Sequence, residues 1–359
     1  MSGQTNRLQW VDTAKGISII LVVMMYSVFN VGQDASGGVG LWHYVIGFAT
    51  PFRMPEFFLI SGLFLDQVIN RPWRAYADRR AVHYLYFYAL WAAIHIVLKI
   101  GILSASPGEA LSALAWSVIE PYGVLWFIYL LAAFSLAVKL AYELRATKWA
   151  VWGMGALFQM AHIQTGSYLV DQFCAYFVYF YSGYVLAPLI FRIVERALEH
   201  KALTFAALAA YALINGLLVF SPGYAITEHD IHPGLAALPG IRLTLALAGS
   251  LALCVVAALI SGFRATAWLR WLGEKSIVVY LVFVLPMSFA RIVLGKLGVD
   301  EPTLLSSLVM VISIVASVAL YFAVQWSGRG KFLFERPAWA HVPGTKGSRS
   351  SKAQAVPAE

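Results

Sequence analysis

Charge is what this sequence most lacks. Asp, Glu, Lys and Arg make up 12% of its 359 residues, while 60% are hydrophobic. Soluble domains carry about 25% charged residues, so a water-soluble fold of this composition would need a very large core. The mean hydropathy of +0.72 makes lipid the simpler solvent. Cysteine is nearly missing too: Cys174 and Cys254 both fall inside apolar runs. That argues against a disulfide framework, and no metal-ligand spacing accompanies them. No internal repeat and no soluble domain is visible. The longest polar stretches are 221–239 and the segment after 327.

What is present is a series of long apolar runs. A spanning helix needs about 20 mostly apolar residues, and ten such runs lie near 13–31, 41–66, 81–103, 122–143, 147–163, 170–192, 202–220, 240–262, 273–295 and 303–325. The fold class is therefore all-α: a polytopic membrane protein of about ten transmembrane helices. Basic residues cluster after alternate runs, at Arg71, Arg74, Arg79 and Arg80, then Arg145 and Lys148, then Arg192, Arg196 and Lys201, then Arg264, Arg270 and Lys275. Positive charge stays inside, so both termini are expected in the cytoplasm. The net charge of +8 is thus a topology signal; split among short loops, it does not read as nucleic-acid binding. The first run reads as an uncleaved span rather than a signal peptide. One membrane domain is expected over 1–326, followed by a basic, disordered tail over 327–359.

Charge inside lipid is costly and tends to mark function. The first two runs hold most of it. Asp12 and Lys15 are three apart and share a helix face. Lys15 and Tyr26 are eleven apart, three turns plus about 20°, so they point the same way some 16 Å apart along the axis. The second run, "IGFATPFRMPEFFLISGLFL", is interrupted by Pro51 and Pro55, with Arg53 and Glu56 beside the break. Broken membrane helices occur where they line a cavity or are buried in protein. A kink fastened by an Arg53–Glu56 salt bridge is the structural alternative.

These residues resemble the acyltransferase 3 family, bacterial membrane O-acyltransferases that modify surface and secreted glycans. The family's first-helix pattern is matched by Asp12, Lys15 and Gly16, with Tyr26 at the position of its usual histidine. Its second-helix pattern is matched by Pro55, Phe57, Phe58, Ser61 and Gly62. A following basic pair is matched by Arg79 and Arg80, a Trp-Phe by Trp126 and Phe127, and a late Gly–Ser–Tyr-Leu pattern by Gly273, Ser276, Tyr280 and Leu281. Phe283 stands where a histidine often follows that last pattern.

The resemblance implies transfer of an acyl group, acetyl in the simplest case, from acyl-CoA to a hydroxyl of a surface or exported glycan at the bacterial inner membrane. Acyl-CoA is then a donor substrate, with no permanently bound cofactor. Arg79 and Arg80, with Arg74, are candidates to hold its phosphates; topology alone also explains them. Lys15 or Arg53 can stabilise the tetrahedral oxyanion, or pair with Asp12 or Glu56 for structure. The acceptor needs a base, and histidine suits that task. Tyrosine is ionised in about one molecule in a thousand at pH 7, a cost of about 4 kcal/mol. Tyr26 can therefore be an activated base or guide, Glu56 can have replaced it, or transfer activity can have been lost. His43, at the outer start of the second run, is a candidate for acceptor binding. The loop "EHDIH", with Glu228, His229, Asp230 and His232, reads as solvated rather than metal-binding. The rival readings are a polytopic transporter, which would often show related halves, and a catalytically silent membrane scaffold.

Overall fold

Lipid offers no partner to backbone N–H and C=O groups, so the chain satisfies them internally, helix after helix. The computed structural model describes residues 2–31, 39–226, 230–345 and 347–348. In chain order the helices are α1 (Ser2–Val31), α2 (Leu41–Ala49), α3 (Arg53–Gly62), α4 (Trp73–Ile102) and α5 (Pro107–Trp116). Then come α6 (Trp126–Glu143), α7 (Lys148–Met160), α8 (Tyr168–Val185), α9 (Ala187–Glu199) and α10 (Lys201–Val219). The last are α11 (Pro239–Ser261), α12 (Ala267–Glu274), α13 (Ser276–Val282), α14 (Val284–Lys296) and α15 (Pro302–Ser327). Strands Ala225–Ile226 and Ile231–His232 pair antiparallel in the 221–239 loop.

Each of the ten apolar runs is helical, but among the described residues fewer than ten helices are long and apolar enough to cross a membrane. Six helices qualify, and two bent pairs raise the number to eight: α8 with α9, bent by 71°, and α13 with α14, bent by 54°. The run at 41–66 is divided into α2 and α3 by the two prolines, which cannot donate to the helix ladder. Helix α7 has 13 residues, about 20 Å at 1.5 Å per residue, short of a hydrocarbon layer of about 30 Å. Helix α9 differs from the expected end of the 170–192 run in being amphipathic. Its Ile190, Phe191, Val194 and Ala197 are buried, while Arg192, Glu195, Arg196 and Glu199 are exposed. Such a helix suits the plane of an interface rather than the bilayer interior.

The chain forms two compact units. One comprises Met1–Leu63 and Ser182–Leu320. Its centre is α1, with 67% of its apolar window buried, against 17% for α10 and 22% for α15. Helix α1 packs on α3, α11, α12 and α13. Two glycines permit the α1–α12 approach. A Cβ on Gly273 would strike the Asp12 carbonyl, and one on Gly16 would strike the Leu269 carbonyl. Small residues at membrane helix crossings let backbones close in this way. Both glycines belong to the motifs singled out in the sequence.

The second unit comprises Phe64–Tyr181 and Tyr321–Glu359. It is fastened by Lys139, which is 1% exposed. The Lys139 ammonium donates to the carbonyls of Ile69 (2.8 Å) and Arg71 (3.0 Å) and pairs with Glu143 at 2.6 Å. It also lies 5.3–5.7 Å from the ring centroids of Trp73, Tyr76 and Tyr142, a cation–π cage. The segment at 331–345, expected as the start of a disordered tail, is built into this unit. Tyr86 and Trp91 on α4 donate to the Phe332 and Leu333 carbonyls, each at 3.0 Å. Phe334 packs between Trp91 and Tyr321.

Candidate active site

The prolines at 51 and 55 set the first part of the site. Between α2 and α3 the helix ladder lapses, and side chains cover the carbonyls it leaves. Thr50 Oγ1 donates to Ile46 O at 2.8 Å, and Asn215 Nδ2 donates to Phe48 O at 2.8 Å. Arg53, 8% exposed, turns toward the same place, with Nη1 3.4 Å from Ile46 O and 3.3 Å from Thr50 Oγ1. Arg53 thus stitches the break. The salt bridge with Glu56, the structural alternative read from the sequence, is not among the ion pairs of the described residues.

Glu56 instead points at α1. It is fully buried, and one carboxylate oxygen bonds Ser18 Oγ. Its other oxygen, Oε1, is buried with no hydrogen-bond partner among the described residues. Removing a carboxylate from water costs several kcal/mol unless a partner compensates, so such a group at a helix break needs a functional account. Ser18 was not singled out in the sequence, although it lies one turn after Lys15 and six residues from Asp12. Asp12 and Lys15 do meet, at 3.2 Å, and both are partly exposed. Tyr26 packs against the cluster of Met24, Met25, Val28, Ile46 and Ile231, and its ring contacts Phe283. His43 is buried, and its Nδ1 accepts the Gly40 N–H at 3.0 Å, which caps the start of α2. In the 221–239 loop, Asp230 Oδ1 accepts the Ile231 N–H at 2.8 Å; Glu228 and His229 lie outside the described residues.

The second unit contains a cavity of about 910 Å³. Arg79 and Arg80 line it, together with Arg71, His83, Tyr84 and, from beyond α15, Arg336 and His341. Arg74 is exposed and does not line it. Residues Asp78–Val82 form a wide turn in which the His83 N–H reaches the Asp78 carbonyl, a π-bulge in α4. Such bulges recur at functional sites, and this one presents Arg79 and Arg80. Among the described residues neither Arg71 nor Arg79 has a carboxylate partner, and Arg80 Nη2 reaches only the Phe64 carbonyl, at 3.5 Å. These three arginines line the cavity without a carboxylate partner of their own, while its acid, Asp78, is paired with Arg336.

A family model described as an acyltransferase domain, Acyl_transf_3, matches residues 8–322. The chain belongs to the acyltransferase 3 family. No curated protein and no solved structure gave a match. Membership makes it a multi-pass membrane protein of an acyl-transferring family. Within that family's pattern, the glycines at 16 and 273 serve the α1–α12 crossing. Tyr280 and Leu281 are buried, and Ser61 Oγ donates back to the Phe57 carbonyl at 2.8 Å. Trp126 is buried against Tyr168 and Tyr176. Arg71, Arg336 and His341 were missed as site residues. Arg71 was legible only as loop charge. The latter two lie beyond the family match, where the aromatic spacing of "KFLFERPAW" was the available signal.

Proposed function

We propose that the chain transfers an acyl group, acetyl in the simplest case, from acyl-CoA to a hydroxyl of a surface or exported glycan. It does so in the bacterial inner membrane, with both termini in the cytoplasm. The observation that carries this reading is the cavity of about 910 Å³ lined by Arg71, Arg79 and Arg80, cations with no acidic partner among the described residues. Its volume and charge suit the phosphate-bearing nucleotide of coenzyme A, since guanidinium forks grip phosphate oxygens in pairs.

The chemistry needs a proton acceptor for the incoming hydroxyl. Glu56 suits the role, because its Oε1 is buried and holds no donor of its own. As the hydroxyl oxygen bonds to the thioester carbonyl carbon, its proton passes to Glu56. The C–S bond then breaks, and the proton goes to the departing coenzyme A thiolate. Asp12 and Lys15 remain a paired, part-exposed couple on α1, with Lys15 the candidate to oppose oxyanion charge. Arg53 holds the broken helix in shape and so orients Glu56.

The test is direct binding of coenzyme A to the purified chain in lipid nanodiscs, by calorimetry. Micromolar binding that the paired Arg79→Ala and Arg80→Ala substitutions abolish is the expected result. A chain with no affinity for coenzyme A overturns the reading and favours its rival, a transporter.

A second reading has its own observation. Tyr26 and Phe283, both at positions where relatives of this family are expected to carry histidine, fill each other's space with aromatic surface. That packing suits a chain that keeps the family fold without transfer. Acyl transfer by the parent chain, lost in Glu56→Gln, excludes it.

A further inference from the structure

We propose that the segment at 331–345, which lies beyond the matched family domain, completes the donor's phosphate site by occupying Asp78. This rests on the acyl-CoA reading above and adds the residues that make the cavity selective for a polyanion.

Asp78 is the one acidic residue among the described residues lining the cavity, and it sits next in sequence to Arg79 and Arg80. Left to itself it would pair with one of them and repel a phosphate. The later segment prevents this. Arg336 Nη2 bonds Asp78 Oδ2 at 2.8 Å, and Nη1 bonds the Asp78 carbonyl at 2.7 Å. The Val342 N–H bonds Oδ1 at 2.7 Å, and His341 Nδ1 lies 3.2 Å from Oδ2. Both carboxylate oxygens are thus engaged by one short stretch of chain, and the Asp78 and Arg336 side chains are 6% and 5% exposed. The stretch is held by its own turn, in which Thr345 Oγ1 bonds the Val342 carbonyl at 2.8 Å. With Asp78 sequestered, the remaining arginines face the cavity without an acid. Arg336 is therefore a positioning residue that acts through Asp78. The ligand class is a multiply phosphorylated nucleotide.

The experiment measures coenzyme A affinity of the full chain in nanodiscs by calorimetry, for four proteins: the parent, Arg336→Gln, Arg336→Lys, and the double variant Asp78→Asn with Arg336→Gln. Arg336→Gln frees Asp78 and weakens binding about tenfold, while Arg336→Lys weakens it less. The double variant, with no acid left to free, returns to within about threefold of the parent. A merely structural role for Arg336 would not be rescued by removing its partner. Unchanged binding by Arg336→Gln, or a double variant as weak as the single, overturns the inference and leaves the donor reading standing. No binding by the parent overturns both. Should Arg336→Gln fail to fold, Asp78→Asn alone decides. Affinity that holds or rises supports competition by Asp78, and a tenfold fall refutes it.

Discussion

The ring of Tyr26 lies 5.5 Å from that of Phe283, centroid to centroid, at an interplanar angle of 45°. The two positions at which the sequence resemblance leads one to expect histidine are therefore in contact, one on α1 and the other between α13 and α14. A change at one is felt at the other, so the departures are best treated as a pair. If Glu56 takes the proton, the Tyr26 hydroxyl is not required for chemistry. Tyr26→Phe, which keeps the ring and its contact, should retain acyl transfer to within about threefold, whereas Glu56→Gln should lower kcat by at least about 100-fold. Activity assays on detergent-purified variants check both. Gain of activity on Tyr26→His alone would point instead to a lapsed histidine site.

The arginine cavity gives a second expectation. Arg79→Ala and Arg80→Ala should each raise KM for acyl-CoA about tenfold with little change in kcat, the pattern of lost ground-state binding. Arg74→Ala should leave KM unchanged, because Arg74 is exposed and away from the cavity lining. Steady-state kinetics with acetyl-CoA would show the contrast.

Much of this was legible in the sequence. The apolar runs were, because lipid imposes composition and length directly on each helix. So was the break beside Arg53 and Glu56, because proline removes a donor wherever it stands. The partners were not. Proximity along the chain offered an Arg53–Glu56 salt bridge as one alternative, yet Arg53 serves the Ile46 carbonyl and Glu56 meets Ser18 on another helix. Lys139, inside the apolar run at 122–143, gave no sign in the sequence of its role as a buried knot tied to carbonyls about 70 residues earlier. The basic tail read as solvated because polar residues dominate its composition. Two aromatics within it, Trp339 and Phe334, pack against Tyr86 and Trp91, and the Phe332 carbonyl accepts the Tyr86 hydroxyl.

Lys139 carries a stability prediction. Lys139→Met leaves two carbonyls without their donor and Glu143 without its partner, which should cost about 3 kcal/mol. A clear fall in melting temperature in detergent is the expected result. Because Arg71 supplies one of those carbonyls and lines the cavity, coenzyme A affinity should fall too.

Gly273→Ala tests the α1–α12 crossing. The new methyl group would meet the Asp12 carbonyl, a backbone atom that cannot rotate away. Overpacking of this kind costs about 1–3 kcal/mol, and the chain should melt earlier. Gly262→Ala, where nothing lies near the added carbon, serves as the control.

Glu301 gives a pH dependence outside the membrane. Its carboxylate accepts the N–H groups of Leu304 (2.5 Å) and Thr303 (3.0 Å) at the start of α15, and these bonds hold its pKa below the ordinary value. The stabilisation is present above the unfolded pKa and fades as pH falls through the lowered folded one. Glu301→Gln should therefore melt earlier than the parent at pH 7, with the gap closing toward pH 3.

The Phe48 carbonyl has a consequence for biogenesis. Its donor, Asn215, is made 167 residues later. While the ribosome works through the intervening chain, the first half of the broken helix carries a bare acceptor. Nascent chains arrested before residue 215 should keep this segment loosely inserted and open to proteases, and chains arrested beyond α10 should protect it. Completion of this broken helix thus waits on a late arrival.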